Sequence, residues 1–147
     1  MAPPPDKEHW EVLSRRTVYS APPFLKVLVD TVRLPDGRVV DDYHQLETGP
    51  SAAVVGQTDD GRLLLLREYR HGTRRVGYTF PGGRVDANET PVDGARRELL
   101  EETGYVPREI HPLGSYCHSC TYGLGENFFF RASGLTRQGA PSEHDLE

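Results

Sequence analysis

The chain has few of the features that several protein classes require. No apolar run approaches the roughly 18 residues that a membrane-spanning helix needs, and the first residues lack the basic-then-apolar pattern of a signal peptide. Basic residues are outnumbered, with 17 Lys and Arg against 22 Asp and Glu and a net charge of -5. Nonspecific nucleic-acid binding needs a basic surface, so we expect no nucleic-acid partner. Because the chain shows neither a membrane-spanning run nor a signal peptide, we expect a cytoplasmic protein without a membrane partner.

Cysteine is also scarce. The 2 cysteines form one C-x-x-C, Cys117-His118-Ser119-Cys120, and no second pair completes a four-cysteine zinc site. His111 and His118 are available as further ligands, but the segment does not open a helix as redox motifs do. Reduced thiols in a loop are therefore favoured over zinc or redox chemistry. The phosphate-binding Gly-x4-Gly-Lys-Ser/Thr loop is absent as well.

The most informative stretch lies between residues 83 and 105. Thr90 is suited to cap a helix, Pro91 to occupy its first position, and Asp93 adds a negative charge to its first turn. Gly104 is a natural residue just past a helix end. These signals predict a helix over residues 91–103.

That helix concentrates negative charge. At about 100° per residue, Glu98, Glu101 and Glu102 fall on one arc beside an apolar arc that can face a sheet. Like charges at this spacing repel, and Arg97, four residues before Glu101, relieves part of the repulsion. A hard divalent cation such as Mg2+ would relieve the rest, because it takes oxygen ligands. The alternative is a solvated acidic helix face, which most charge runs are.

The spacing of these residues resembles the Nudix hydrolase box, Gly-x5-Glu-x7-Arg-Glu-U-x-Glu-Glu-x-Gly-U, in which U is bulky and aliphatic. The matching positions are Gly83, Glu89, Arg97, Glu98, Leu99, Glu101, Glu102 and Gly104. Tyr105 departs mildly, being aromatic at the last U. The resemblance implies hydrolysis of a nucleoside diphosphate linked to another moiety, with Mg2+ or Mn2+. It also implies a single domain over residues 1–147 with the α/β (α+β) Nudix fold, an α/β/α sandwich around a mixed sheet.

The same resemblance assigns roles to residues of the box. It implies that Glu98, Glu102 and the carbonyl of Gly82 bind the metal, that Glu101 binds it or orients a group, and that Arg97 holds Glu101 or a neighbour in place. Glu89 is interpreted as structural, tying the loop to the helix. The general base stays open: Glu143, which lies well beyond the box, is the first candidate, Glu126 the second, and Glu98 serves as base in other branches of the family.

The chain before the box predicts strands. Two runs flank the turn Pro35-Asp36-Gly37 and indicate a hairpin, after one or two short strands within residues 10–20. This N-terminal antiparallel extension, residues 1–50, precedes a core over residues 51–147 and resembles the ADP-ribose pyrophosphatase branch, in which it builds a homodimer. A second hairpin is predicted over residues 52–57 and 62–69, followed by a loop over residues 71–77. The resemblance makes Arg70, and less strongly Arg67, substrate-binding residues.

After the helix, strands are predicted over residues 110–117 and 127–132, with Phe128, Phe129 and Phe130 as core residues. Residues 138–147 are polar, so the C-terminal helix of the family is expected to be missing. Three functions compete. The first is a pyrophosphatase acting on ADP-ribose or another nucleotide sugar, the second a nucleoside triphosphate or dinucleoside polyphosphate hydrolase, and the third a non-catalytic ligand sensor of the same fold.

Overall fold

A computed structural model describes residues 9–142 of the chain. The described residues form two compact units, one containing residues 9–49 with Cys117–Gly125, the other Pro50–Tyr116 with residues 126–142. The boundary predicted after residue 50 therefore lies within one residue of the start of the second unit. The assignment of residues 117–125 to the first unit is not apparent from the sequence, and the single-domain organisation stays a prediction.

The first unit is an antiparallel sheet in the order β1-β2-β3, comprising β1 (Glu11–Ala21), β2 (Leu25–Arg33) and β3 (Val39–Glu47). The turn between β2 and β3 uses Gly37 at φ 88, with its N–H donating to the carbonyl of Leu34 at 2.9 Å. The predicted hairpin is confirmed. Residues 10–20, predicted as one or two short strands, lie almost entirely in the single strand β1.

The centre of this sheet contains an ion pair between a buried carboxylate and an exposed arginine. Asp30 of β2 is 1% exposed between the buried side chains of Leu28 and Val32. Both oxygens of Asp30 accept hydrogen bonds from Arg15 of β1, each at 2.7 Å. The Arg15 guanidinium also lowers the pKa of Asp30 from its usual range, because its hydrogen bond favours the charged carboxylate. The bidentate geometry holds β1 and β2 in register.

The main sheet is mixed, as predicted. Its strands run in the order β5-β4-β10-β9, and β8 pairs with β4 as well. Strand β10 is parallel to β4, whereas β5 and β8 are antiparallel to it. The strand bounds are β4 (Ser51–Gln57), β5 (Leu63–Leu64), β8 (Gly82–Arg84), β9 (Tyr105–Ser119) and β10 (Leu124–Arg137).

The second predicted hairpin is wrong in its return strand. Residues 62–69 divide into β5 and β6 (Leu66–Arg70), and β6 pairs with β7 (Arg75–Thr79) in a separate two-stranded sheet. The physical reason is competition for one edge of β4. Strand β8 pairs with Ser51 to Ala53, the N–H of Val54 donates to Pro81, and β5 pairs only with Gly56 and Gln57. Part of the predicted loop, residues 71–77, therefore belongs to β7.

The helix α1 (Pro91–Thr103) has the predicted bounds and caps. The Thr90 side chain accepts from the N–H of Asp93, and Gly104, at φ 73, donates its N–H to Leu100 at 2.8 Å. Leu99 is fully buried, which stabilises the fold by about 2 kcal/mol. The core that it joins also contains Ala52, Val54, Ala95, Phe130 and Ala132.

The helix α1 is the one helix within residues 9–142, and none there is long and apolar enough to cross a membrane. The mixed sheet, the single helix on it and the antiparallel N-terminal extension confirm the predicted fold class. Cys117 lies in β9, which contains the strand predicted over residues 110–117, and its thiol donates to the carbonyl of Leu124 at 2.8 Å.

Candidate active site

The site begins where β8 lies against β4. The carbonyl of Pro81 accepts from the N–H of Val54 at 2.8 Å, and Gly82 pairs with Ala53 in the antiparallel register. A Cβ built on Gly82 would lie 2.2 Å from the carbonyl oxygen of Ala52, so the chain passes too close for any side chain. This contact fixes the dipeptide Gly82-Gly83 at the sheet edge, beside α1.

Two carboxylates of α1 reach that dipeptide. The N–H of Gly82 donates to Oε2 of Glu102 at 2.7 Å. A Cβ on Gly83 would lie 2.5 Å from Oε1 and 2.8 Å from Oε2 of Glu98, whose side chain is 11% exposed. Glu98 and Glu102 are one helical turn apart, and both carboxylates therefore converge on the same two glycines.

Arg97 lies among the carboxylates of Glu89, Glu98 and Glu101. Its Nη2 donates to Oε1 of Glu89 at 2.7 Å, and its Nε donates to the other oxygen of Glu89 at 3.2 Å. Its Nη1 donates to Glu98 at 2.8 Å and to Glu101 at 3.0 Å. Nη2 also donates to the carbonyl of Arg84 at 2.9 Å. One guanidinium thus contacts three glutamates and a backbone carbonyl of the segment before α1.

These contacts fix the charges of the cluster. The hydrogen bonds from Arg97, with a further one from the N–H of Asp86 at 2.8 Å, lower the pKa of Glu89. The same ion pair with Glu89 raises the pKa of Arg97 above its usual range. Both groups are therefore ionised at neutral pH, and Arg97 offsets the repulsion expected among the glutamates.

Gly94 is a site-supporting residue that the analysis of the sequence missed. A Cβ at this position of α1 would lie 2.9 Å from Oε1 of Glu89, so the helix needs glycine for the loop carboxylate to pack on it. The available signal was a glycine inside a helix, which costs about 1 kcal/mol relative to alanine and therefore indicates a packing requirement.

A second missed feature is the segment after β10, residues 138–142. The N–H groups of Gln138 and Gly139 point to the carbonyl of Gly104, at 2.8 and 3.3 Å, and the N–H of Ser142 donates to the carbonyl of Glu101 at 2.7 Å. The segment therefore satisfies carbonyls at the end of α1, which have no partner within the helix. It attaches the chain to the turn that carries Glu101 and Glu102.

The two arginines predicted to bind substrate lie on opposite faces of the β6–β7 hairpin. Side chains alternate between faces along a strand, and Arg67 lies opposite Tyr78 whereas Arg70 lies opposite Arg75. Arg70 is ion-paired with Glu68 at 2.6 Å. A ligand bound on one face therefore meets only one of the two arginines.

The two candidate bases outside α1 are placed differently. Glu126 is exposed in β10, one residue before the parallel pairing with β4 begins at Asn127 and Ser51. Because Ser51 also pairs with Arg84 of β8, Glu126 lies two strands from the glycine dipeptide. Glu143 lies outside the described residues.

The oxygen donors at the glycine dipeptide suit a hard divalent cation. Within residues 9–142, no three His, Cys, Asp or Glu side chains converge as a complete metal site. Two carboxylates nevertheless meet at Gly82-Gly83, and the absence of a Cβ at Gly83 leaves room for the carboxylate of Glu98. Mg2+ is commonly held by one or two carboxylates together with waters and substrate phosphates, so the residues present fit such an ion.

Family comparisons divide the chain in two. The family model for the NUDIX domain matches residues 47–145, and the one for the nucleoside diphosphate sugar hydrolase N-terminal domain matches residues 10–46. A solved structure described as an ADP compounds hydrolase superimposes with a TM-score of 0.80 at 23% identity, covering 92% of this chain and 73% of that one. That likeness shows a shared fold.

Curated relatives are similar over part of their length. The chain is 34% identical over 120 residues to a CMP-5'-(N-acetyl-N-hydroxy-3-aminopropyl)phosphonate hydrolase of Streptomyces rubellomurinus, covering 82% of this chain and 58% of that protein. It is 29% identical over 93 residues to the ADP-ribose pyrophosphatase of Bacillus subtilis, covering 63% and 49%. An RNA pyrophosphohydrolase of Xanthomonas campestris is 38% identical over 66 residues, covering 45% and 30%. The chain thus spans about half the length of the curated relatives that it matches.

Proposed function

The chain belongs to the Nudix hydrolase family, and from that membership we propose that it hydrolyses the pyrophosphate bond of a nucleoside diphosphate linked to a sugar, with ADP-ribose as the leading candidate. The products are a nucleoside monophosphate and a sugar phosphate. The observation that carries the proposal is the convergence of Glu98 and Glu102 on Gly82-Gly83, with Arg97 bonded to Glu98. The match of residues 10–46 to the N-terminal domain of nucleoside diphosphate sugar hydrolases supports the substrate class.

A divalent ion, Mg2+ or Mn2+, would be held by Glu98, Glu102 and the carbonyl of Gly82, with Glu101 as a further ligand or an orienting group. When bound, such an ion neutralises phosphate charge and makes water a better nucleophile. Arg97 acts as a positioning residue. Its bonds to Glu98 and Glu101 keep two carboxylates of α1 aligned, and its two bonds to Glu89 anchor that alignment to the loop.

We assign the general base to Glu143 and hold Glu126 as the second candidate. A base must come within hydrogen-bond reach of the attacking water. Ser142, the neighbour of Glu143 in the chain, donates its N–H to the carbonyl of Glu101, so the described chain ends beside the helical turn that carries Glu101 and Glu102. Glu126 is exposed and two strands away from the glycines, which makes it the weaker candidate.

For substrate phosphate binding we favour Arg70 over Arg67. Arg70 shares its face of the hairpin with Glu68 and Thr79, and the hydroxyl of Thr79 donates to Glu68 as well. Glu68 therefore orients Arg70 through a bond that also connects to the last residue of β7, three residues before Gly82. Arg67 makes no comparable side-chain bond within residues 9–142.

We also propose that the protein is a homodimer formed through its N-terminal sheet. Strand β1 is exposed over residues 11–20, with Val12, Val18 and Tyr19 among its apolar side chains. A long exposed strand with apolar residues invites pairing with another chain. Light scattering at micromolar concentrations should give twice the monomer mass, and a monomer mass over the whole range would contradict the proposal.

The proposed reaction is tested by a product assay with Mg2+ on ADP-ribose, other nucleotide sugars and nucleoside triphosphates, with Glu102→Gln as the matched control. Release of AMP and ribose phosphate by the native chain, and none by Glu102→Gln, is the expected result. Wild-type rates in Glu102→Gln would refute the metal site, whereas turnover confined to other compounds would refute the substrate.

A second candidate is hydrolysis of nucleoside triphosphates or dinucleoside polyphosphates, favoured by the similarity to RNA pyrophosphohydrolases. It predicts that phosphate or pyrophosphate release from triphosphates exceeds AMP release from ADP-ribose in the same assay. A non-catalytic sensor is disfavoured, because a sensor does not need Glu98, Glu101 and Glu102 together.

A further inference from the structure

The β6–β7 hairpin reverses the charge of the chain locally. Residues 67–78 contain four arginines and one glutamate, whereas the whole chain has a net charge of -5. The single glutamate, Glu68, is already bonded to Arg70 and Thr79 on one face. The prediction of no nucleic-acid partner is based on the net charge of the whole chain. That net charge does not reveal a basic patch of this size.

Three of the four arginines of this hairpin have side chains without a partner in the described part of the chain. Within residues 9–142, the arginine side chains that make no hydrogen bond or ion pair are Arg16, Arg67, Arg74 and Arg75. All but Arg16 lie on the hairpin, and Arg74 and Arg75 lie at its turn. Unpaired guanidinium groups gathered in one place are suited to bind several phosphates.

Exposed aromatic rings share a face with Arg67. Tyr78 lies directly opposite Arg67 and is 70% exposed, and Tyr69 lies opposite Val76 and is 53% exposed. Diagonal neighbours on one face of an antiparallel pair are about 7–8 Å apart, so Tyr69 and Tyr78 form one platform. Exposed aromatic faces stack on nucleobases of any sequence.

The turn adds a backbone observation. Arg74 adopts φ 54, in the left-handed region that glycine occupies more readily. The turn is closed by the N–H groups of Thr73 and Arg74, which donate to Arg70 and His71 at 3.2 and 3.1 Å. Backbone strain of this kind clusters at functional sites. Here it falls on an arginine whose side chain has no partner among the described residues.

We propose that this hairpin binds single-stranded nucleic acid, with phosphates on Arg67 and Arg74 and bases stacked on Tyr69 and Tyr78. The combination of unpaired cations and exposed rings matches the two components of such sites, electrostatic attraction along the backbone and stacking of bases. An acidic protein surface would satisfy the arginines but would leave both rings without a stacking partner. The binding does not depend on the proposed hydrolysis, and it is measured without metal.

The test is fluorescence anisotropy of a labelled single-stranded RNA of about 12 nucleotides, a length within the usual site size, titrated in EDTA so that no turnover occurs. Two phosphate contacts give a slope of about -1.4 for log K against log salt concentration. The double variant Arg67→Ala/Arg74→Gly should reduce the slope to near zero and weaken binding at least tenfold. Replacing Arg74 by glycine also relieves the strained φ, so lost binding cannot be attributed to a damaged turn.

Two further variants separate the contributions. Tyr78→Ala should weaken binding at least fivefold with an unchanged salt slope, because stacking does not release counterions. Arg16→Ala is the matched control, since it removes an equally unpaired arginine from β1 and should leave the affinity within twofold of the native value.

Three results would overturn the proposal: no binding by the native chain at low salt, an equal loss in Arg16→Ala, or a slope that the double variant does not change. The proposal would also be overturned if Tyr78→Ala changed the oligomeric mass and the native chain bound no RNA. In that case the face is a contact between two copies of the chain.

Discussion

The substitution Gly83→Ala tests the site with little cost to the fold. Gly83 lies in β8, paired with Ala52, and a Cβ there would meet the carboxylate of Glu98 at 2.5, 2.7 and 2.8 Å. The obstructing atoms belong to the end of a flexible side chain and not to the backbone. The new methyl group is therefore accommodated by moving Glu98, and the damage falls on the position of that carboxylate.

The size of the effect follows from these distances. Ordinary contact begins near 3.4 Å, so the carboxylate must retreat by roughly 1 Å, a displacement that can lower turnover about 100-fold. The thermal midpoint should fall by no more than about 5 °C. The assay is kcat for ADP-ribose at matched Mg2+, together with Mn2+ binding followed by electron paramagnetic resonance, which should weaken as well.

Gly77→Ala is the control for this experiment. It places the same methyl group in β7, where nothing lies within 4 Å, and should leave turnover, metal binding and the thermal midpoint unchanged. Native turnover in Gly83→Ala would refute the reasoning, because the position of Glu98 against the glycine would then have no role in the reaction.

Three other predictions concern the chain end and the N-terminal sheet. Ser142→Pro removes the N–H that donates to Glu101 and should lower kcat at least threefold, while Ser142→Ala, which keeps that N–H, should not; equal values in the two variants would contradict a positioning role. Glu143→Gln should lower turnover at least tenfold with unchanged Mn2+ binding, in line with the 100- to 10,000-fold that a general base typically contributes, and native turnover would move the base to Glu126 or Glu98. Asp30→Asn should cost about 1–3 kcal/mol in urea unfolding at pH 7. Since Arg15 lowers the pKa of Asp30, this stabilisation is present above the ordinary aspartate pKa of about 3.9 and is lost as the pH falls through the lower folded value. A difference between native protein and Asp30→Asn that stays constant below about pH 4 would contradict the linkage.

The helix was predictable because its signals are local. Thr90, Pro91 and Gly104 act within one turn of the helix ends, so neighbouring residues suffice to define residues 91–103. The return strand after β4 was not predictable in the same way. Its four consecutive leucines suit a strand, but which partner they pair with depends on β8, which occupies part of the β4 edge.

Glycines illustrate the same division. Gly104 is recognisable from its place at a helix end, whereas Gly94 is needed because Glu89 packs on it from a loop. The two arginines Arg67 and Arg70 also required the structure, since only the pairing with β7 shows what shares each face of the hairpin.

The sequence alone determined that Glu98, Glu101 and Glu102 share one arc of a helix and that Arg97 is within reach of Glu101, because helical periodicity is a property of consecutive residues. Only the tertiary structure decided what that arc meets. The pairing of β8 with β4 places Gly82-Gly83 against the carboxylates, Arg97 extends across to the loop, and residues 138–142 return to the end of α1. These contacts join segments far apart in the chain, and their geometry follows from the packing of α1 on the sheet.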